Sequence, residues 1–158
     1  GKYQVYENTK VLPRAILSGE YKVVHDKKQI IEEFYKQSPN LGEKIILEKA
    51  PILKIEKSDQ SITGIKTYSP NLIRLDTYSP KNSILLLTDP YYPGWKAYVD
   101  TKETQILRAD YAFRAVEVPQ GSHVVTFVYS PDSLKVGIIL FITGLAGIAG
   151  VSYYLKKL

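Results

Sequence analysis

Between Asp89 and Asp100 the chain sets the aromatic rings of Tyr91, Tyr92 and Trp95 beside the polar groups of Asp89, Lys96, Tyr98 and Asp100. Aromatic faces beside hydrogen-bonding groups suit a ligand that is apolar on one side and rich in hydroxyls on the other, a sugar above all. The spacing divides the stretch. Trp95, Ala97 and Val99 alternate onto one strand face, where the only Trp of a small β domain is expected to anchor the core. Lys96, Tyr98 and Asp100 fall on the opposite face, so a site built from them excludes the indole. Tyr91 and Tyr92, in a Pro-flanked loop, are the better candidates for ligand contact. The candidate ligand-binding residues are therefore Tyr91, Tyr92, Lys96, Tyr98 and Asp100.

Catalytic chemistry has no such foothold. The chain has no Cys and two histidines, His25 and His123, far apart in sequence, which excludes a thiolate site and leaves no ligand spacing for a metal. His123 shares a strand face with Val125, Phe127 and Tyr129 and reads as a satisfied interior residue. The acidic residues are scattered, and neither a Ser-His-Asp order nor a glycine-rich phosphate loop is present. The residues predict no catalytic group, no metal and no cofactor.

The elements that must hold the aromatic stretch are organised from the far end of the chain. Val136 to Leu155 runs twenty residues without a charge, about 30 Å of helix, the thickness of a bilayer's hydrocarbon core. A transmembrane helix is expected there. Gly144, Ala146, Gly147 and Gly150 offer it a small-residue surface for packing on neighbouring helices. Lys156 and Lys157 follow the span while Lys135 precedes it, which favours a cytoplasmic C-terminus and places the preceding residues outside the membrane. The net charge of +5 divides accordingly: the region through Leu134 carries 18 basic against 16 acidic residues, no footprint for nucleic acid. Gly1-Lys2-Tyr3 does not read as a natural start. An outer domain followed by an inward helix needs an earlier crossing, so the expectation is the C-terminal piece of a larger multi-span protein.

Within residues 1–134 the pattern predicts one domain. Asp26 and Gln29 resemble a capping box, followed by an amphipathic helix with Ile30, Ile31 and Phe34 on one face and a Glu32–Lys36 pair on another, stopped at Ser38-Pro39. Period-two alternation then predicts strands at Ile52–Lys57 and Leu72–Tyr78, and a central strand at Ser83–Thr88. A hairpin is expected from Trp95–Val99 and Thr104–Arg108 around a turn at Asp100–Glu103. A second is expected from Phe113–Val118 and Ser122–Tyr129 around Pro119-Gln120-Gly121. The fold class is mainly β: an antiparallel, jelly-roll-like sandwich over residues 1–134 with one amphipathic helix, then the transmembrane helix and a short tail over residues 135–158.

Three pieces carry a resemblance: Asn8 with Leu12-Pro13-Arg14-Ala15; Tyr92-Pro93-Gly94-Trp95-Lys96 through Val99-Asp100; and Gly121-Ser122-His123 through Phe127, Tyr129 and Pro131 into the final helix. In order and spacing the chain resembles the C-terminal part of the YfhO family of bacterial multi-span membrane proteins. It departs from the family at Asp100-Thr101-Lys102, where Asp-Gly is usual, and without Gly a longer loop is expected. The resemblance implies a plasma-membrane protein similar to GT-C lipid-sugar-dependent glycosyltransferases, whose catalytic carboxylate lies in an early outer loop. No catalytic residue carries over. The implied role is an accessory one, positioning a polymer or lipid-linked sugar acceptor; a purely structural or binding ectodomain is the alternative. The partners expected are the bilayer, other transmembrane helices of the same parent chain and a cell-envelope glycan or lipid-linked sugar.

Overall fold

The computed structural model describes residues 3–4, 6–7, 11–37 and 42–157; Asn8 and the expected helix stop at Ser38-Pro39 lie outside them. Among the described residues eleven strands form two sheets, and a long helix follows. The first sheet joins β1 (Ala15–Ser18), β6 (Ser83–Pro90), β10 (Phe113–Val118), β9 (Leu107–Ala109), β3 (Ile45–Leu47) and β2 (Tyr21–Val23), in that spatial order. The second joins β4 (Ile62–Ser69), β5 (Leu72–Ser79), β11 (Gly121–Tyr129), β7 (Trp95–Val99) and β8 (Lys102–Thr104). The mainly β, two-sheet reading of the sequence holds.

Alternation builds the core. Ile73 and Leu75 of β5, Leu85 and Leu87 of β6, and Val125 and Phe127 of β11 meet between the sheets. The other face of β6 is buried as well: Ile84 and Leu86 cluster with Ile45, Leu47 and Leu107 on the far side of the first sheet. That sheet curls strongly. Its edge strands β1 and β2 are joined by Gly19 and Glu20 alone, and Ser18 Oγ bonds the Glu43 carbonyl at 2.7 Å just before β3.

Four details differ from the sequence reading. Residues 52–57 form no strand, because side chains already satisfy their backbone: the Glu117 carboxylate accepts from Ile52 N and Leu53 N at 2.9 and 2.6 Å, and Asn82 Nδ2 donates to the Lys54 carbonyl at 3.0 Å. The β2–β3 pair is parallel, since α1 (Lys27–Gln37) carries the chain across between them. Asp26 caps α1 through Gln29 N at 3.0 Å; Ile30 is buried against Val24 and Ile46 while Ile31 faces out, and Lys36 pairs with Glu33 rather than Glu32. The two expected hairpins also differ. The first is tighter, with Val99 opposite Lys102 across a two-residue turn and β9 departing to the other sheet; β10 and β11, the second, lie in different sheets. Asp100 supplies the positive φ (56°) that the tight turn needs.

The final helix, α2 (Asp132–Lys157), is 26 residues long, with mean hydropathy 2.1 over its most apolar window and none of that window buried. It is long and apolar enough to cross a membrane.

Candidate functional site

One end of the sandwich gathers most of its unusual chemistry. Arg14 precedes β1, Asp89 is the second-last residue of β6, Arg114 the second of β10, and Trp95 and Tyr129 face each other across β7 and β11. Arg114 is 2% exposed, and its Nη2 donates to Asp89 Oδ2 at 3.0 Å. Arg14 Nη1 donates to Asp89 Oδ1 at 2.9 Å, and the Tyr68 hydroxyl reaches both carboxylate oxygens at 3.1 and 3.2 Å. One buried carboxylate thus holds two guanidinium groups. The Arg114 guanidinium also lies 4.0 Å from the centroid of the Trp95 ring and 5.3 Å from that of Phe127. Its Nε and Nη1 have no hydrogen-bond partner among the described residues; the π faces are what surround the charge. Burial pulls the guanidinium below its ordinary pKa, while the Asp89 charge holds it up.

Above this ion pair lies a cavity of about 400 Å³, walled by Tyr68, Tyr92, Trp95 and Tyr129, with Asn71, Asp89 and Arg114 supplying polar groups. Trp95 is half-buried: it packs against the core cluster and still lines the cavity. Gly94 fixes the loop that carries Tyr92. Its φ is +97°, and a Cβ there would stand 2.9 Å from Pro131. Its carbonyl accepts from Ser130 N at 2.7 Å, two residues before α2. Aromatic walls over a charged, hydrogen-bonding floor can hold a polyol by stacking and directed hydrogen bonds.

Of the five candidate acceptor residues, the structure brings only Tyr92 to this cavity. Tyr91 turns to a smaller hollow of about 110 Å³ beside Arg108 and Glu48. Lys96 and Tyr98 lie on the outer face of the five-stranded sheet, Tyr98 between Thr126 and Glu103. Asp100 serves its turn: Oδ1 accepts from Val124 N at 2.9 Å and Oδ2 pairs with His123 Nδ1 at 2.8 Å. These bonds hold the Asp100 pKa below its ordinary value and raise that of His123. On α2, Gly144 and Gly147 line one groove with Ile148, Val151, Ser152 and Leu155, and Gly150 and Ala146 continue the same side of the helix in further steps of about 60° and 40°.

Arg14, Tyr68, Asn71, Arg114 and Tyr129 did not figure among the candidates. Arg114 had a readable signal, because it shares strand parity with the inward-facing Val116 and Val118. A charge on a core face calls for a partner. Among the described residues no group of three or more His, Asp or Glu side chains could hold a metal ion.

The family model described as "Bacterial membrane protein YfhO" matches residues 53–141. The YfhO protein of Bacillus subtilis (strain 168), described as uncharacterized, is 26% identical over 104 residues, which cover 66% of this chain and 11% of that protein. The chain therefore spans about a tenth of the relative's length. No solved structure matches.

Proposed function

Because the chain belongs to the bacterial YfhO family of membrane proteins, we propose that it forms an extracytoplasmic β domain and the last transmembrane helix of a GT-C-like glycosyltransferase. The domain positions a polymer or lipid-linked sugar acceptor beside the membrane. The observation that carries this reading is the aromatic cavity over the Asp89–Arg114 pair, held by Gly94 against the residues that lead into α2. Its walls offer stacking surface and its floor offers both donors and acceptors, the combination a hydroxyl-rich ligand requires. The chemistry of transfer belongs to parts of the parent protein beyond this chain, and the domain acts by binding.

A transfer assay on the parent, with its lipid-linked donor and expression matched, tests the proposal. Tyr92→Ala removes a stacking face worth about 0.5–1.5 kcal/mol, so KM for the acceptor is expected to rise about two- to tenfold. The turnover number stays near wild type, since the contact holds ground and transition states alike. Tyr91→Ala, which leaves the cavity intact, is the matched control. Unchanged kinetics in Tyr92→Ala would remove the cavity from the acceptor site. That outcome would favour the structural ectodomain, in which the Arg14–Asp89–Arg114 network only ties β1, β6 and β10 together.

A further inference from the structure

The end of the sandwich from which α2 leaves carries a distribution of tyrosines that the sugar cavity does not explain. Between residues 42 and 131 five tyrosines are exposed: Tyr68, Tyr78, Tyr91, Tyr92 and Tyr111. Four of them lie at this end. Tyr68 bonds Asp89; Tyr91 N donates to the Ala112 carbonyl at 2.6 Å, which places Tyr111 beside it; Tyr92 stands two residues from Gly94 and its contact with Pro131. Only Tyr78 stands at the other end of its sheet, opposite Ser122 near the start of β11.

The position of these rings relative to the helix fixes what they meet. The uncharged part of α2 begins at Val136, and residues 132–135 add about 6 Å of helix, close to the thickness of one headgroup layer. Pro131 and the Gly94 loop packed on it therefore lie at that layer's outer boundary. Tyrosine and tryptophan prefer the membrane–water interface, where the amphipathic ring sits at headgroup level and its polar atom keeps a water or headgroup partner. Half-exposed Arg14 and Lys135 lie at the same level but already pair with Asp89 and Asp132, with Lys96 close to Asp132, so the charges there are largely balanced and the rings carry the contact.

We infer that the β6–β7 loop and the surrounding tyrosines form a second membrane contact, an interfacial belt that rests the sandwich on the lipid headgroups around α2. The partner is the bilayer surface itself. The belt fixes the tilt of the domain, which a single helix leaves free, and sets the Tyr92–Tyr129 wall of the cavity at headgroup level. It stands whatever the cavity binds.

Trp95, the chain's only tryptophan, is the reporter. The full chain is reconstituted in phosphatidylcholine–phosphatidylglycerol vesicles containing lipid spin-labelled either on the headgroup or deep in the acyl chain. The headgroup label is expected to quench Trp95 fluorescence at least about twofold more strongly than the deep label. Tyr92→Ser combined with Tyr111→Ser, with circular dichroism matched to wild type, is expected to halve that quenching or more. Because wild type carries the reporter, the test does not depend on the variant folding. Quenching by neither lipid overturns the belt, and full access to aqueous iodide in the same sample would show the domain standing clear of the membrane. Stronger quenching by the deep label overturns the headgroup placement.

Discussion

Arg114 is a charge buried where a β-sandwich would ordinarily place an aliphatic side chain, and its energetics are those of a paired ion rather than of a contact. Removing the guanidinium leaves Asp89, itself only 6% exposed, with Arg14 as its one remaining cation and the Tyr68 hydroxyl. Arg114→Leu is therefore expected to cost about 3 kcal/mol in urea unfolding. Adding Asp89→Leu should restore at least half, because the uncompensated carboxylate goes with it; a double variant no better than the single would show that packing, not charge, is at stake. Asp110 poses the opposite case. It sits at φ 45° with one oxygen accepting from Ile46 N at 2.8 Å, and burial pushes its pKa up to about 6. A carboxyl whose folded pKa is raised contributes stability below its unfolded value near 4, and that contribution is lost as pH rises through about 6. Asn keeps the acceptor and tolerates the left-handed backbone. Asp110→Asn is thus expected to stabilise the domain at pH 7 by about 1–3 kcal/mol and to flatten the pH 4–6 slope. His123, raised by Asp100, stabilises fully below its unfolded pKa and ceases to do so as pH climbs through its folded value. His123→Gln should abolish that separate loss on the alkaline side. At this scale the sequence was a partial guide: Tyr92 and Asp89 were visible as a chemically suggestive neighbourhood. Arg14 and Arg114 stand 100 residues apart and meet only because β1 and β10 flank β6.

Elements were most legible where period and length agreed. Leu72–Ser79 alternates exposed and buried at every residue, and Ser83–Pro90 is apolar on both faces; both form the strands their patterns require. The failure at residues 52–57 is instructive because the alternation there is real. A strand pattern states which side chains could face inward, and it is silent on whether the backbone finds a ladder. Glu117 and Asn82 reach that backbone first. Glu117→Ala is accordingly expected to loosen this segment, seen as faster amide exchange at Ile52 and Leu53 with the rest of the sheet protected as before. The turn at Asp100 failed as an expectation for a related reason, since a side chain accepting from Val124 N and His123 stabilises a backbone region that otherwise favours Gly. At Gly94 no such substitute exists. Gly94→Ala meets both a positive φ and Pro131, and should cost about 2 kcal/mol while releasing the Tyr92 loop from the start of α2.

For the whole molecule, the two-sheet architecture and the terminal helix followed from periodicity, whereas assignment of strands to sheets did not. Periodicity is local, and which strands pair is decided by contacts such as Ala15 with Leu87. Orientation is open to a direct measurement because the chain has no native Cys. Single cysteines replacing Ser58 and Lys156 in the parent should label oppositely with a membrane-impermeant reagent on intact cells, Ser58→Cys from outside. Labelling of Lys156→Cys alone would invert the topology. The pairing of β1 with β6 also imposes an order in time. About 70 residues separate the partners, and synthesis at roughly 5–20 residues per second leaves the first strand without its neighbour for several seconds. Until Asp89 has emerged, Arg14 has no carboxylate to meet; until β10 follows, the curled sheet cannot close. Among the described strands β1 thus waits longest for its first partner. In that interval Ile16 and Leu17, half-buried in the finished sheet, are without the β6 residues that cover them.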